Sequence, residues 1–305
     1  MVHRKTNQRA ALKTNHRNWP LAAILCILIL IIIILSCILA YNIQNAVNNT
    51  VQETQDQIAV PSTNSLIPNK IDFQTMVDDW ANSATDDRSV IIYDLDREEL
   101  VGAYNSSESY NMDSLYKLFV VYEGYQKIQR GEWEPNDTLE CLDLAIRESN
   151  SICAEKLWSK IGEEELDNII KNNYGILNTE ISSFLSNPED IARIMKLFYI
   201  LSKTMDESLG ARMKDSFLNQ PATTYNWRQG LPSGFNEANV YDKVGWDFNA
   251  NTGTWETYHD AAIVEFPTIN RHFIIVVMTS HVAFEEISKL GSLIEKKVLV
   301  STKEL

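Results

Sequence analysis

Apolar residues recur with two different periods along this chain, and the changes between them mark out its parts. Over 71–84 (IDFQTMVDDWANSA) they fall at 71, 73, 76, 77 and 80, the spacing of an amphipathic helix. Residues 89–104 (SVIIYDLDREELVGAY) predict two strands around a charged turn at 96–99. Helical spacing then holds over 113–130, 139–160, 163–172, 188–202 and 207–218, with Gly131, Gly162 and Gly175 beyond or between those segments, where helices stop. Strand text returns at 239–246 (NVYDKVGW), 259–266 (HDAAIVEF) and 271–280 (RHFIIVVMTS), and a last amphipathic helix is predicted over 284–299. Strands at both ends with a helical middle imply an α+β fold: one antiparallel sheet built from both ends of the domain, packed against a helical block, with a cleft between the layers.

The N-terminus has a different pattern. Residues 19–40 (WPLAAILCILILIIIILSCILA) carry no charge, and at 1.5 Å per residue a helix of that length spans about 33 Å, enough for a hydrocarbon core of roughly 30 Å. Five Lys/Arg and no carboxylate lie within residues 1–40, so the basic flank belongs on the cytoplasmic side and the remainder outside. The expected organisation is a cytoplasmic tail at 1–18, a transmembrane signal anchor at 19–41, a polar linker at 42–66 and one extracytoplasmic domain at 67–305. An uncleaved anchor is the reading adopted, because the run is long for a signal peptide and lacks a small-x-small cleavage site. A cleaved signal ending near Ala40 and a lipid-modified Cys37 are the alternatives.

Charge narrows the partners. The whole chain has a net charge of −14, and the part beyond the basic tail and apolar run is more acidic still, which argues against nucleic acid. Two cysteines lie beyond the apolar run, Cys141 and Cys153; they suit a disulfide in an oxidising exterior or two buried thiols. No CxxC, HExxH or paired-histidine spacing occurs, so neither a metal nor a cofactor is expected.

Candidate chemistry begins at NMDSLYKLFV, where Ser114 and Lys117 share one face of a helix, one turn apart. An alkyl hydroxyl needs a proton acceptor to become a nucleophile, and a lysine kept partly neutral by desolvation can be one. With 23 serines and 16 lysines in the chain, that spacing arises about once by chance, so the pair alone decides little. Two further elements follow. RESNSICAEKLW places Ser149 and Ser151 where one helix ends and the next begins, and VYDKVGW sets Lys243 on a strand two residues before Gly245, where a substrate backbone could lie along the edge. The histidines His259, His272 and His281 lie in or beside the last strands and read as structural, His259 and Asp260 opening a strand. No G-x-S-x-G elbow is present.

In this order the three elements resemble the penicillin-recognising serine hydrolases and acyltransferases, nearest to the class A β-lactamase branch with its S-x-x-K, S-D-N and K-T-G motifs. SLYK matches the first in full, SNS the second loosely, and KVG the third at two of three positions; the likeness covers roughly residues 70–300. It implies that Ser114 attacks the carbonyl of a β-lactam or D-alanyl peptide, that Lys117 takes its proton and that Ser149 passes a proton to the departing nitrogen. It also implies that Ser151 and Gly245 contact the substrate, that Lys243 faces its carboxylate, and that the backbone N–H groups of Ser114 and Trp246 form the oxyanion hole.

Three departures qualify the resemblance. Ser151 replaces the usual asparagine, and Val244 replaces a Thr or Ser hydroxyl. The segment between Gly175 and Pro188 is too short for the class A omega loop and lacks its Glu-x-x-x-Asn, Glu180 being its one carboxylate. Since that glutamate serves deacylation, the expectation is an acyl-enzyme that forms but hydrolyses slowly. The alternative is a catalytically weak or inactive cell-wall binding module that retains the fold.

Overall fold

The strand alternation in the sequence appears as a sheet that is apolar on both faces. The computed structural model describes residues 69–221 and 228–302. The chain separates into two units, Met1–Leu66 and Ile67–Leu305. The basic tail, the apolar run and the linker lie outside the described residues; among the described residues no helix is long and apolar enough to cross a membrane.

The described chain opens with α1 (Gln74–Ala81), β1 (Asp87–Asp94), β2 (Glu99–Tyr104) and β3 (Tyr110–Asn111). A 3-10 turn at Asp113–Leu115 leads into α2 (Tyr116–Gln129), followed by α3 (Leu139–Arg147), α4 (Ser151–Ile161) and α5 (Glu163–Tyr174). After β4 (Leu185–Ser186) come α6 (Pro188–Thr204) and α7 (Glu207–Leu218), and then β5 (Asn239–Asn249), β6 (Thr254–Phe266), β7 (Arg271–Ser280) and α8 (Phe284–Ser301). The main sheet is antiparallel, in the order β2-β1-β7-β6-β5, so β1 from one end of the domain pairs directly with β7 from the other. β3 and β4 form a separate two-stranded pair.

Successive strand residues face opposite layers. Ile91, Ala261, Ile263, Ile274, Val276 and Met278 face the helical block and share its core. Val90, Ile92, Ala262, Val264, Ile275 and Val277 face the other way, against apolar residues of α1 and α8. The sequence accounted for the helical layer on one face; α1 and α8 cover the second and bury it equally.

Local differences from the expected elements have local causes. The helix expected at 71–84 spans Gln74–Ala81; ahead of it Phe73 N–H bonds Val101 O at 2.8 Å and ties the lead-in to β2. The helical text over 139–160 is two helices, parted at the boundary read at Ser149 and Ser151: Ser149 takes a left-handed φ of 52° and the Asn150 side chain caps Cys153 N at 3.0 Å. The β5–β6 hairpin runs past the expected strand ends, so His259 lies inside β6 and does not open it. Its tip is braced by Trp255, which packs on Trp246 at 5.4 Å and Phe248 at 4.9 Å.

Cys141 on α3 and Cys153 on α4 are joined as a disulfide, with Cα atoms 4.8 Å apart. The bridge encloses the loop that carries Ser149, and for a closed loop of this size chain entropy assigns it about 3 kcal/mol. Urea denaturation of the full-length protein with and without reductant should show a loss of that order, reproduced by the Cys141→Ser/Cys153→Ser pair. An unchanged midpoint would mean that the cross-link contributes nothing.

Candidate active site

The site is assembled around the 3-10 turn that precedes α2. Ser114 lies in that turn, half-buried, and Lys117 follows in the first turn of α2 with only 1% of its surface exposed. Apolar neighbours cover α2 on nearly every side, so the lysine stem is enclosed and its amine can only meet groups inside the cleft. Lys117 Nζ lies 2.8 Å from Ser114 Oγ and 3.5 Å from Ser149 Oγ.

Ser149 reaches the cleft because the cap of α4 is made by Asn150, which leaves the serine hydroxyl uncommitted to the helix. Lys243, on β5 and fully buried, donates to Ser149 Oγ at 2.9 Å and to the Val244 carbonyl at 2.6 Å. Ser114, Lys117, Ser149 and Lys243, which are far apart in sequence, thus form one hydrogen-bonded chain.

Burial sets the protonation of both amines. It lowers Lys117 to about 8, against the opposing pull of the Glu155 and Asp113 charges. Burial, aided by the nearby Lys117, lowers Lys243 well below the usual lysine range, while Asp242 and Asp260 oppose the shift. A neutral amine at Lys117 has a lone pair to accept the Ser114 proton, and at pH 7 about a tenth of the molecules hold it in that form.

Other positions named from the sequence are placed differently. Ser151 is exposed at the first residue of α4, outside the hydrogen-bonded chain that links the serines and lysines. Gly245 is bare because the nucleophile turn fills the space beside it: a Cβ there would stand 2.7 Å from Met112 O and 3.2 Å from Leu115 N. The glycine thus lets the turn seat on β5, which accounts for it without a substrate backbone. Val244 faces the α8 layer and is buried there. Trp246 follows on the outermost strand of the sheet.

The short segment between Gly175 and Pro188 also supports the turn. Phe184 O accepts from Met112 N at 2.8 Å, and the Phe184 ring packs edge-on against Tyr116 at 5.1 Å and Trp158 at 6.0 Å. Glu180 is exposed, and its backbone pairs with Leu185.

Asp113 and Asp242 escaped notice in the sequence, and Asp260 was read only as opening a strand. Asp113, directly before the serine, accepts a hydrogen bond from Thr257 on β6. Asp242 and Asp260 lie under the site on the opposite face of the sheet, both fully buried. Arg228 binds Asp242 at 2.6 Å and Leu231 N binds Asp260 at 2.7 Å; burial pushes both acids upward, and Asp242 adds to the shift of Asp260. Strand alternation carried the signal, since Asp242 falls between Val240 and Val244 on an apolar face. His259 is structural: Thr279 N donates to its Nδ1 at 3.1 Å, so Nε2 carries the proton and donates to Asn111 O at 2.7 Å.

Known proteins place this geometry. A PBP-A variant, described as its acyl-enzyme complex with penicillin G, superposes with a TM-score of 0.63 at 15% identity, covering 76% of this chain and 99% of its own. A β-lactamase from Chitinophaga pinensis gives a TM-score of 0.62 at 15% identity, covering 73% of this chain and 98% of that one. A class A β-lactamase representative from Bacteroides cellulosilyticus gives 0.60 at 14% identity, covering 76% and 97%. At such identities these likenesses establish the fold. No curated protein matches in sequence. The β-lactamase enzyme family matches residues 137–298, a span that holds Ser149 and Lys243 and over half of the chain. By that match, and by the fold that joins those two residues to Ser114 and Lys117, the chain belongs to the β-lactamase enzyme family.

Proposed function

We propose that this protein is an extracytoplasmic serine hydrolase or acyltransferase, held at the membrane by residues 19–41, that forms an acyl-enzyme at Ser114 with a β-lactam or a D-alanyl peptide. One observation carries the proposal: a buried amine 2.8 Å from Ser114 Oγ, joined through Ser149 to a second buried amine.

The neutral form of Lys117 takes the Ser114 proton as Oγ attacks the substrate carbonyl. The negative charge that develops on the carbonyl oxygen is met by the backbone N–H groups of Ser114 and Trp246, contributed by the turn and by the strand on which it seats. Collapse of the tetrahedral adduct breaks the carbon–nitrogen bond. Ser149 gives its proton to the departing nitrogen and regains one from Lys117, so the base returns to its neutral form. Lys243 orients the Ser149 hydroxyl, and a substrate carboxylate on the leaving side would favour the charged form of its amine. The PBP-A variant with its bound penicillin supports the same chemistry on this fold.

Hydrolysis of the acyl group needs a positioned water and a base for it. The segment that carries this base in class A enzymes is here shortened and used as a support for the nucleophile turn, so acylation outpaces deacylation.

Intact-mass spectrometry of the full-length protein in detergent, after exposure to penicillin G, should show a one-to-one adduct that outlasts its formation time many-fold. Ser114→Ala should remove it. Absence of any adduct on folded protein would favour the binding-module alternative, and rapid turnover would contradict the account of deacylation.

Acylation should accelerate as pH rises through about 8, where Lys117 loses its proton, and level off above. Lys117→Arg, which keeps the charge but cannot deprotonate, should slow it by about 10²–10⁴-fold. A rate that is flat across this range would remove Lys117 as the base.

A further inference from the structure

We propose that Asp113 is a positioning residue for Ser114, its carboxylate reaching across β5 to Thr257 on β6 and fixing the nucleophile turn over the sheet. This rests on Ser114 being the nucleophile. The residue before the serine has a left-handed backbone, φ 47°, which a non-glycine residue keeps only where its surroundings hold it.

Those surroundings are specific. The Thr257 hydroxyl accepts from Asp247 N at 3.1 Å, and this orients its proton toward Asp113 Oδ2, to which it donates. Asp113 N donates to the Asn111 side chain at 3.2 Å, and Asn111 O receives the His259 Nε2 proton at 2.7 Å. His259 Nε2 lies 3.6 Å from Asp113 Oδ2; burial lowers this histidine to about 4, so it stays neutral and serves as a fixed donor. Thr257 and His259 both project from β6 toward the turn, and Gly245 on β5 leaves the gap through which the turn approaches. The Asp113 side chain is only 12% exposed, so its bond to Thr257 is largely shielded from competing water.

Asp113 also acts on the base. The groups facing the Lys117 amine are Asp113 from the turn, Glu155 from α4, Lys243 from β5 and the adjoining Tyr116 ring; both carboxylates favour its charged form. Removing the charge at 113 while keeping the acceptor should therefore shift Lys117 further down without releasing the turn.

The test compares acylation by penicillin G over pH 6–10 in the full-length protein and in Asp113→Ala, Asp113→Asn and Thr257→Val. Asp113→Ala and Thr257→Val should each slow acylation at least about tenfold, and the double variant should be no slower than Asp113→Ala alone. Asp113→Asn should recover most of the loss, with its alkaline limb moved to lower pH. Amide exchange over residues 112–115 should rise in Asp113→Ala and Thr257→Val while the β6–β7 pairing keeps its protection. A folded Asp113→Ala protein with wild-type rate, wild-type limb and wild-type exchange would overturn the proposal. So would strictly additive losses in the double variant. Should the unaltered chain take no acyl group, the Ser114 assignment falls, and unchanged exchange in the variants would still refute the latch on its own terms.

Discussion

The arrangement of this domain depends on keeping two lysine amines out of water. An ammonium group buried without partners costs far more than any single contact in the domain returns, so the amines must lose charge, gain hydrogen bonds, or both. Here both happen: Lys117 and Lys243 are drawn below the ordinary lysine range, and their nitrogens meet the hydroxyls of Ser114 and Ser149 and the carbonyl of Val244. The apolar casing of α2, the disulfide across the Ser149 loop and the close seating of the turn on Gly245 can be understood as ways of keeping that pocket dry. On the far face of the sheet, Asp242 and Asp260 place acidic groups below the buried amines without exposing any of them to solvent.

A second constraint is the meeting of separate chain segments at one turn. Residues 111–115 are touched by β5 through Gly245, by β6 through Thr257 and His259, and by the segment after α5 through Phe184. A shortened loop that takes on such a support has little freedom to present a carboxylate to an acyl group. On the proposed function, the geometry that steadies Ser114 is therefore the same geometry that leaves this segment no carboxylate for the second step. A trade of this kind suits a protein whose role ends with acylation or whose acyl acceptor is something other than water.

Much of the fold was legible because its periodicities are strong. β7 coincides with the strand read from RHFIIVVMTS, where every side chain from Phe273 to Thr279 is apolar or β-branched. The hairpin tip was missed because its strands are held by a small aromatic cluster around Trp255, a tertiary cause that strand alternation does not express. Ser114, Lys117, Ser149 and Lys243 stand in three short motifs in a fixed order, and the fold brings the four together. Ser151 and Gly245 carried the same family signal; in space Ser151 is exposed at the start of α4 and Gly245 lies against the turn. Asp113 stands in NMDSLYKLFV beside Ser114, but its partner is Thr257, 144 positions later, and no local pattern encodes that contact.

The pairing of β1 with β7 sets an order on the making of the site. Strands from the two ends of the domain must meet before the sheet exists, and such distant contacts form late and slowly. While the chain is being synthesised, Ser114 emerges long before Lys243 and Gly245, so the serine passes through its early life without the strand on which it must sit. An incomplete chain, or one clipped within its last strands, would therefore carry Ser114 without the strand that seats its turn and without the second buried amine. The group of serines and lysines is complete only once the last strands have joined the sheet.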